Sequence, residues 1–228
     1  MIKAVFFDAT ETLIFLPKGV AHHYREVAQR HGMILDEAAL ALAFRNAWNA
    51  MPPRAASEAA RPDDDKGWWR ELVANVIEEC GGKPTRSAFA AFFEALYAHF
   101  AEPGVWALYP EVLPVLNELR DKYRFGVISN FDQRLRAILN HLRIADLFGA
   151  IALSSETGVD KPDARIFQRA LAELRVHPHE AVHVGDDPVR DWQGAEAAGL
   201  HSFHLNRKEN SLADLPVFLA AISPSCES

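Results

Sequence analysis

The chain has 228 residues, 49% of them hydrophobic and 24% charged, and a formal net charge of −7 at pH 7. Those proportions describe a water-borne protein of one large or two small domains. The negative balance excludes a nucleic-acid surface, which needs clustered Lys and Arg. No run of about 18 apolar residues is present to cross a membrane, and the opening run Ala4-Val5-Phe6-Phe7 is too short for a secretory h-region. Cys80 and Cys226 are far apart and lack metal-ligand spacing, as expected of idle thiols in a reducing compartment. A cytoplasmic enzyme, monomer or homodimer, with no nucleic-acid or membrane partner, is expected.

In chain order, Val5-Phe6-Phe7 is a short apolar run of the kind that makes a buried parallel strand, and it ends on Asp8. Four helical patterns follow. Val20 to His31 is apolar at Val20, Tyr24, Val27 and Ala28, with Gly32 as its stop. Asp36 caps a helix running to Met51. One of Asp63, Asp64 and Asp65 caps a helix carrying Trp68, Trp69, Leu72, Val76 and Ile77, which Gly81-Gly82 ends. Thr85 opens the fourth, with Phe89, Phe92, Phe93, Leu96 and Phe100 at helical spacing. Pro52-Pro53 and Pro103-Gly104 punctuate the block. No strand pattern interrupts residues 17–104, so they are expected to form an all-helical, four-helix cap inserted into a core made of 1–16 and 105–228. Trp48, Trp68, Trp69 and Trp106 are expected to fill the small core of such an insert rather than to line a ligand pocket.

From Tyr109 the pattern alternates. Helix 110–122 leads to strand 125–128, helix 132–142 to strand 150–153, helix 163–174 to strand 181–184, and helix 189–198 to strand 201–204. Short strands alternating with helices predict an α/β core, a doubly wound, Rossmann-like parallel sheet that also takes in the first strand. The end from Ser223 to Ser228 is expected to fray.

Polar residues then fall at strand ends: Asp8, Ser129-Asn130, Lys161, and Asp186-Asp187 with Asp191. In open α/β sheets the carboxyl ends of the strands gather ligands. Two adjacent strands would bring Asp8, Asp186 and Asp187 into one small volume, where carboxylates repel unless a hard cation holds them ionised.

These motifs, in this order and across the whole chain, resemble those of the haloacid dehalogenase superfamily of hydrolases, in the subclass with a helical cap between the first and second motifs. The stretches Val127-Ile-Ser-Asn-Phe-Asp132, Lys161-Pro-Asp163 and His183-Val-Gly-Asp186 with Asp191 are similar to the branch called haloacid dehalogenase-like hydrolase domain-containing protein 3. The resemblance implies Mg²⁺ and a small phosphorylated substrate. It makes Asp8, Thr12, Ser129 and Lys161 the catalytic set and gives phosphate contacts to Ser129, Asn130 and Lys161. The implied metal ligands are Asp8, the main-chain carbonyl of Thr10, and Asp186, with Asp187 or Asp191 direct or through water. Asp8 would attack phosphorus and form an aspartyl-phosphate, while cationic and hydrogen-bond clamps stabilise the charge on the phosphoryl oxygens.

One position departs from the family. Its phosphatases carry a second aspartate two residues after the first, where it protonates the leaving group and then activates water; here that residue is Thr10. Loss of general acid–base help costs about 10²–10⁴-fold in rate, so a slow phosphatase is expected, with Glu11 the nearest substitute acid. A 2-haloacid dehalogenase and a Mg²⁺- and phosphate-ligand-binding protein without turnover are the alternatives. Dehalogenases also lack the second aspartate, but they need no metal and no Gly-Asp-Asp such as 185–187. A phosphonate hydrolase would require a cap lysine, and Lys18, Lys66 and Lys83 match no motif for one. The histidines His183, His201 and His204 lie in strand patterns and are read as no metal cluster, and His22-His23 as surface or linker residues.

Overall fold

A computed structural model describes residues 1–222; the tail 223–228, with Cys226 and the expected fraying, lies outside the described residues. The chain divides into two compact units. One holds Met1–Phe15, Ala56–Arg61 and the chain from Ala107 onward, and the other holds Leu16–Ala55 and Pro62–Trp106.

The first unit is built on a parallel sheet of β1 (Ala4–Phe7), β4 (Arg124–Ser129), β5 (Phe148–Leu153), β6 (Ala181–Gly185) and β7 (His201–His204), ordered β5-β4-β1-β6-β7. A second, two-stranded antiparallel ribbon pairs β2 (Ile14–Phe15) with β3 (Ala107–Leu108). Strand β1 is central because it is apolar on both faces, with Phe6 and Phe7 wholly buried, and a strand covered on both faces needs no polar side. Phe6 lies opposite Gly126, where a Cβ would come within 2.5 Å of its ring; glycine gives the ring its place. The register Phe7↔Val184 sets the end of β1 beside that of β6. Successive core strands are added on one side of β1 up to β5 and then on the other from β6, so the chain reverses direction across the sheet between β1 and β6. Such a switch point is where a ligand crevice opens.

Helices α5 (Val112–Leu119), α6 (Arg134–His141), α8 (Ala164–Leu174) and α10 (Leu215–Ile222) accompany the sheet, with the short α7 (Ser154–Thr157) and α9 (Gly194–Ala197) between. The face of α8 at Ile166, Phe167, Ala170, Leu171 and Leu174 joins Phe6, Ile128, Ala150 and Ala152 in one core cluster. The helix expected over 189–198 begins instead as a π-helix, Pro188–Gln193; Trp192 N–H reaches back five residues to the Asp187 carbonyl. A single wide turn of this type is rare and is often found at functional sites.

Residues 56–61 lie within the helical stretch of the sequence but group with the sheet. The N–H groups of Ser57 and Arg61 donate to the carbonyls of Gly158 and Ser155, at 2.8 and 2.7 Å, and Arg61 pairs with Asp160 at 2.9 Å. Gly158 has φ +78°, and a Cβ on it would press to 2.3 Å from the Ala59 carbonyl oxygen.

The second unit is four helices: α1 (Gly19–Arg30), α2 (Glu37–Ala50), α3 (Lys66–Glu79) and α4 (Arg86–His99). Asp36 and Thr85 cap α2 and α4 by accepting from Ala39 and Ala88 N–H, each cap worth about 1 kcal/mol. The core holds Tyr24, Val27, Leu40, Leu72, Val76, Ile77, Phe92, Phe93 and Leu96, with Trp48, Trp68 and Trp69 packed against it. The three indoles touch one another with centroids 5.2–5.9 Å apart, and Arg54 lies over Trp68 at 4.1 Å. They serve as packing, as their number in so small an insert requires. No helix among the described residues is long and apolar enough to cross a membrane.

Candidate active site

Four strand ends deliver the polar residues. Asp8 follows β1, and its N–H donates to the Val184 carbonyl at 2.8 Å. Ser129 is the last residue of β4, Lys161 follows the turn after β5, and Asp186 follows β6. The wide turn then swings Asp191 back under the strand. Its carboxylate lies so close to the end of β6 that a Cβ on Gly185 would stand 2.3 Å from its Cγ. Asp8, Asp186 and Asp191 each present a ligand atom within 4.8 Å of the others.

Lys161 is buried and spends all three of its N–H donors: on Asp8 Oδ1 at 2.6 Å, Asp191 Oδ1 at 2.5 Å and the Ile128 carbonyl at 2.8 Å. Burial opposes its charge, but Asp8 and Asp191 outweigh that and raise its pKa. Asn130 fixes the lysine from behind. Its side-chain amide donates to the Lys161 carbonyl at 3.0 Å and accepts from the Lys161 N–H at 2.6 Å.

Asp191 Oδ1 also bonds His183 Nε2 at 2.9 Å, and Oδ2 accepts from the Asp187 N–H at 3.0 Å. Burial works to raise its pKa, but Lys161 and His183 overcome it and hold the carboxyl well below its usual range. Asp8 is raised, by burial first and by Asp191 next, against the pull of Lys161. Asp186 is pushed up to about 7 by burial, Asp8 and Asp191. Three acids crowded beside one lysine are thus over-supplied with negative charge, and the donor set fits a hard divalent cation.

Not every residue read from the sequence joins this group. The side chain of Asp187 caps the π-helix, its Oδ1 accepting from Val189 and Arg190 N–H at 2.9 and 2.8 Å, and it stays outside the cluster of Asp8, Asp186 and Asp191. Thr12 is buried, and its hydroxyl finds no partner. Thr10, partly exposed, forms a backbone bridge with Ile14. Glu11 is occupied: Tyr109 donates its hydroxyl to Glu11 Oε2 at 2.6 Å. Arg207 braces the same turn, stacked 3.2 Å over the Tyr109 ring and donating to the Glu11 and Thr12 carbonyls. Burial and then Glu11 push the Tyr109 phenol far up.

Sequence reasoning missed His183, Tyr109 and Arg207. Arg207 is far from every motif in sequence. His183, three residues before Asp186, was the one detectable signal, since a histidine is unusual in a wholly buried strand.

Comparison with known proteins gives this geometry its relatives. The family model described as haloacid dehalogenase-like hydrolase matches residues 2–199. The human haloacid dehalogenase-like hydrolase domain-containing protein 3 is 34% identical over 207 residues, covering 89% of this chain and 81% of that one. A phosphoserine phosphatase from Thermus thermophilus is 35% identical over 144 residues, 62% of this chain and 56% of that one. Among solved structures, a defluorinating L-2-haloacid dehalogenase superposes with a TM-score of 0.74 at 25% identity, covering 90% of this chain and 82% of that one. A match of that length is more than a shared motif, and the chain belongs to the haloacid dehalogenase-like hydrolases.

Proposed function

We propose that the protein is a Mg²⁺-dependent phosphatase acting on a small phosphate monoester through an aspartyl-phosphate at Asp8. The observation that carries the reading is the convergence of Asp8, Asp186 and Asp191 around a site closed on one side by Lys161. A dehalogenase that needs no metal has no use for a third crowded acid, and the similarity to a phosphoserine phosphatase supports the same choice.

Asp8, Asp186 and Asp191, with the Thr10 carbonyl, would hold the ion. When bound, Mg²⁺ supplies charge neutralisation for the carboxylates and for the phosphoryl group. The oxygen of Asp8 that Lys161 does not bond attacks phosphorus, and the bond to the leaving oxygen breaks. Lys161 holds the nucleophile in place and adds positive charge where the transition state becomes negative. Ser129, buried at the end of β4, donates its hydroxyl to a phosphoryl oxygen. Asn130, tied to the Lys161 backbone through its side chain, has its own N–H to offer. Water then attacks the phosphorus of the aspartyl-phosphate, releasing phosphate and restoring Asp8. Thr10 offers no proton donor for the first step and no base for the second.

A millisecond-to-minute time course with p-nitrophenyl phosphate, with and without Mg²⁺, tests this reading beside a halide-release assay on 2-chloropropionate. The expected result is Mg²⁺-dependent release with a burst near one equivalent and a slow steady rate, because the leaving group is good and the missing base slows only the second step. Halide release without phosphatase activity would establish the dehalogenase reading. Neither activity would leave a binding protein.

The raised pKa of Asp186 makes the metal site pH-dependent. A folded-state pKa of about 7, against 3.8 ordinarily, means that the fold keeps a proton the unfolded chain has lost. This contribution to metal-free stability is therefore complete below the ordinary value and is lost as pH rises toward about 7. Mg²⁺ needs the ionised form and must displace that proton. The increase in Tm on adding Mg²⁺ is expected to be small near pH 5, to grow through the window and to level off above about 7, and Asp186→Asn should flatten it. An increase equal at both ends of the range would place the ion elsewhere.

A further inference from the structure

The helical unit holds a second group of metal-capable side chains, of a different chemistry. His23 and Glu26 stand three residues apart on α1 and so share a helix face. His99, the last residue of α4, comes alongside them. Each of the three presents a ligand atom within 4.8 Å of the other two. The two rings face each other, His23 Nδ1 to His99 Nε2 at 3.0 Å, and both histidines are buried, at 4% and 5% exposed.

The hydrogen bonds fix the tautomers. Glu102, just beyond α4, accepts from His99 Nδ1 at 2.8 Å, so the Nε2 of a neutral His99 carries a bare lone pair directed at His23. Carboxylate-backed imidazole is the arrangement that orients histidine ligands on a metal. In the metal-free protein His23 Nδ1–H donates to that lone pair, which leaves His23 Nε2 buried without a partner. Glu26 is oriented as well, since Arg30 holds its Oε1, while its Oε2 faces His22 Nε2 at 3.7 Å, a loose pairing that a metal would replace. Burial, then His99 and His22, lower the His23 pKa to about 4.

We propose that His23, His99 and Glu26 form a site for a borderline divalent metal of the Zn²⁺ class, joining α1 to α4. Two imidazoles and one carboxylate are a Zn²⁺ donor set, whereas Mg²⁺ takes oxygen ligands and seldom imidazole. Two imidazole nitrogens on one tetrahedral zinc stand about 3.3 Å apart at Zn–N bonds of about 2.05 Å, so the rings need to part by a few tenths of an ångström and to tilt until both lone pairs converge on one point. The chain enters this unit at Leu16 and leaves it at Trp106; the ion would fasten the first helix to the last near both points.

The test uses the full chain, stripped with chelator and held in millimolar Mg²⁺ so that the carboxylate site is occupied. Zn²⁺ is titrated by calorimetry and Co²⁺ by visible absorption. The site requires one Zn²⁺ per chain, a rise in Tm, and Co²⁺ bands of a low-coordinate nitrogen site. His99→Gln should remove all three. Glu102→Gln should weaken Zn²⁺ by about 10–100-fold, as outer-sphere partners of ligand histidines do, and Asp8→Asn should leave Zn²⁺ binding unchanged. Glu26→Gln removes a ligand at the surface without disturbing the buried rings, so it decides the matter if His99→Gln does not fold. Absence of Zn²⁺ binding in the wild type, or binding lost in Asp8→Asn yet kept in Glu26→Gln and Glu102→Gln, would overturn the site.

Discussion

Asp8→Asn is expected to lower phosphoryl transfer by about 10⁴-fold or more, to the level that binding and electrostatics give without a nucleophile, and to abolish acid-labile phosphoenzyme. Its effect on the fold should be the reverse of what a buried ion pair suggests. Removing one partner of such a pair usually costs about 3–5 kcal/mol, and Lys161 bonds Asp8 at 2.6 Å. But burial and the neighbouring Asp191 raise the Asp8 pKa despite that bond, so in the metal-free protein the ionised form at neutral pH opposes folding. Asn keeps an acceptor for Lys161, which also retains Asp191 and the Ile128 carbonyl, and it relieves repulsion among three acids. The metal-free variant should melt at or above the wild-type Tm and gain less from Mg²⁺. A variant that still forms phosphoenzyme would remove Asp8 from its role, and one that lost activity together with its cooperative melt would show a structural residue instead.

Thr10→Asp is expected to raise steady turnover on phosphate monoesters by about 10²-fold or more, within the usual range for general acid–base help. The position tolerates the exchange. Thr10 is partly exposed and pairs with Ile14 through the backbone, and the following Glu11 N–H bonds the Ile14 carbonyl at 2.8 Å, neither of which depends on the side chain. The gain should be larger for alkyl phosphates, whose leaving oxygen needs a proton, than for p-nitrophenyl phosphate, and the slow phase after the burst should quicken. No gain in a variant that folds and binds Mg²⁺ would mean that the pocket serves other chemistry. Glu11 does not fill the gap in its present position, since Tyr109 holds its carboxylate.

How much of this was readable from the sequence depended on the range of the interactions involved. Apolar periodicity located α1 to α4 and the five parallel strands because each follows from local pattern and from burial on one face or two. The caps at Asp36 and Thr85 could be read because a lone acceptor before a helix has one use. The run Asp63-Asp64-Asp65 could not. Asp65 occupies the N-cap position in a left-handed conformation without capping, its carboxylate buried 3.3 Å from Arg54, while Asp63 accepts from Gly67 N–H. At the site, the strand-end rule placed Asp8, Ser129, Lys161 and Asp186. It could not divide labour between Asp187 and Asp191, because that depends on one extra residue in the turn between them. The pairing of His23 with His99 joins residues 76 apart and has no local signature. Strands β2 and β3, two residues each, are too short to carry an alternation.

The strap of residues 56–61 changes what the two units are to each other as folding entities. The backbone passes from one to the other at 15/16, 55/56, 61/62 and 106/107, four crossings where a simple insertion has two. No single cut-and-join can therefore release the helices as an independent fragment, and a core made by replacing 16–106 with a short linker would lose its own hydrogen bonds to Ser155 and Gly158, on the turn that leads into Lys161. The helices of the second unit are thus not exchangeable as a cassette with those of a relative unless the strap is retained. Recombination between relatives would have to respect junctions on both sides of it.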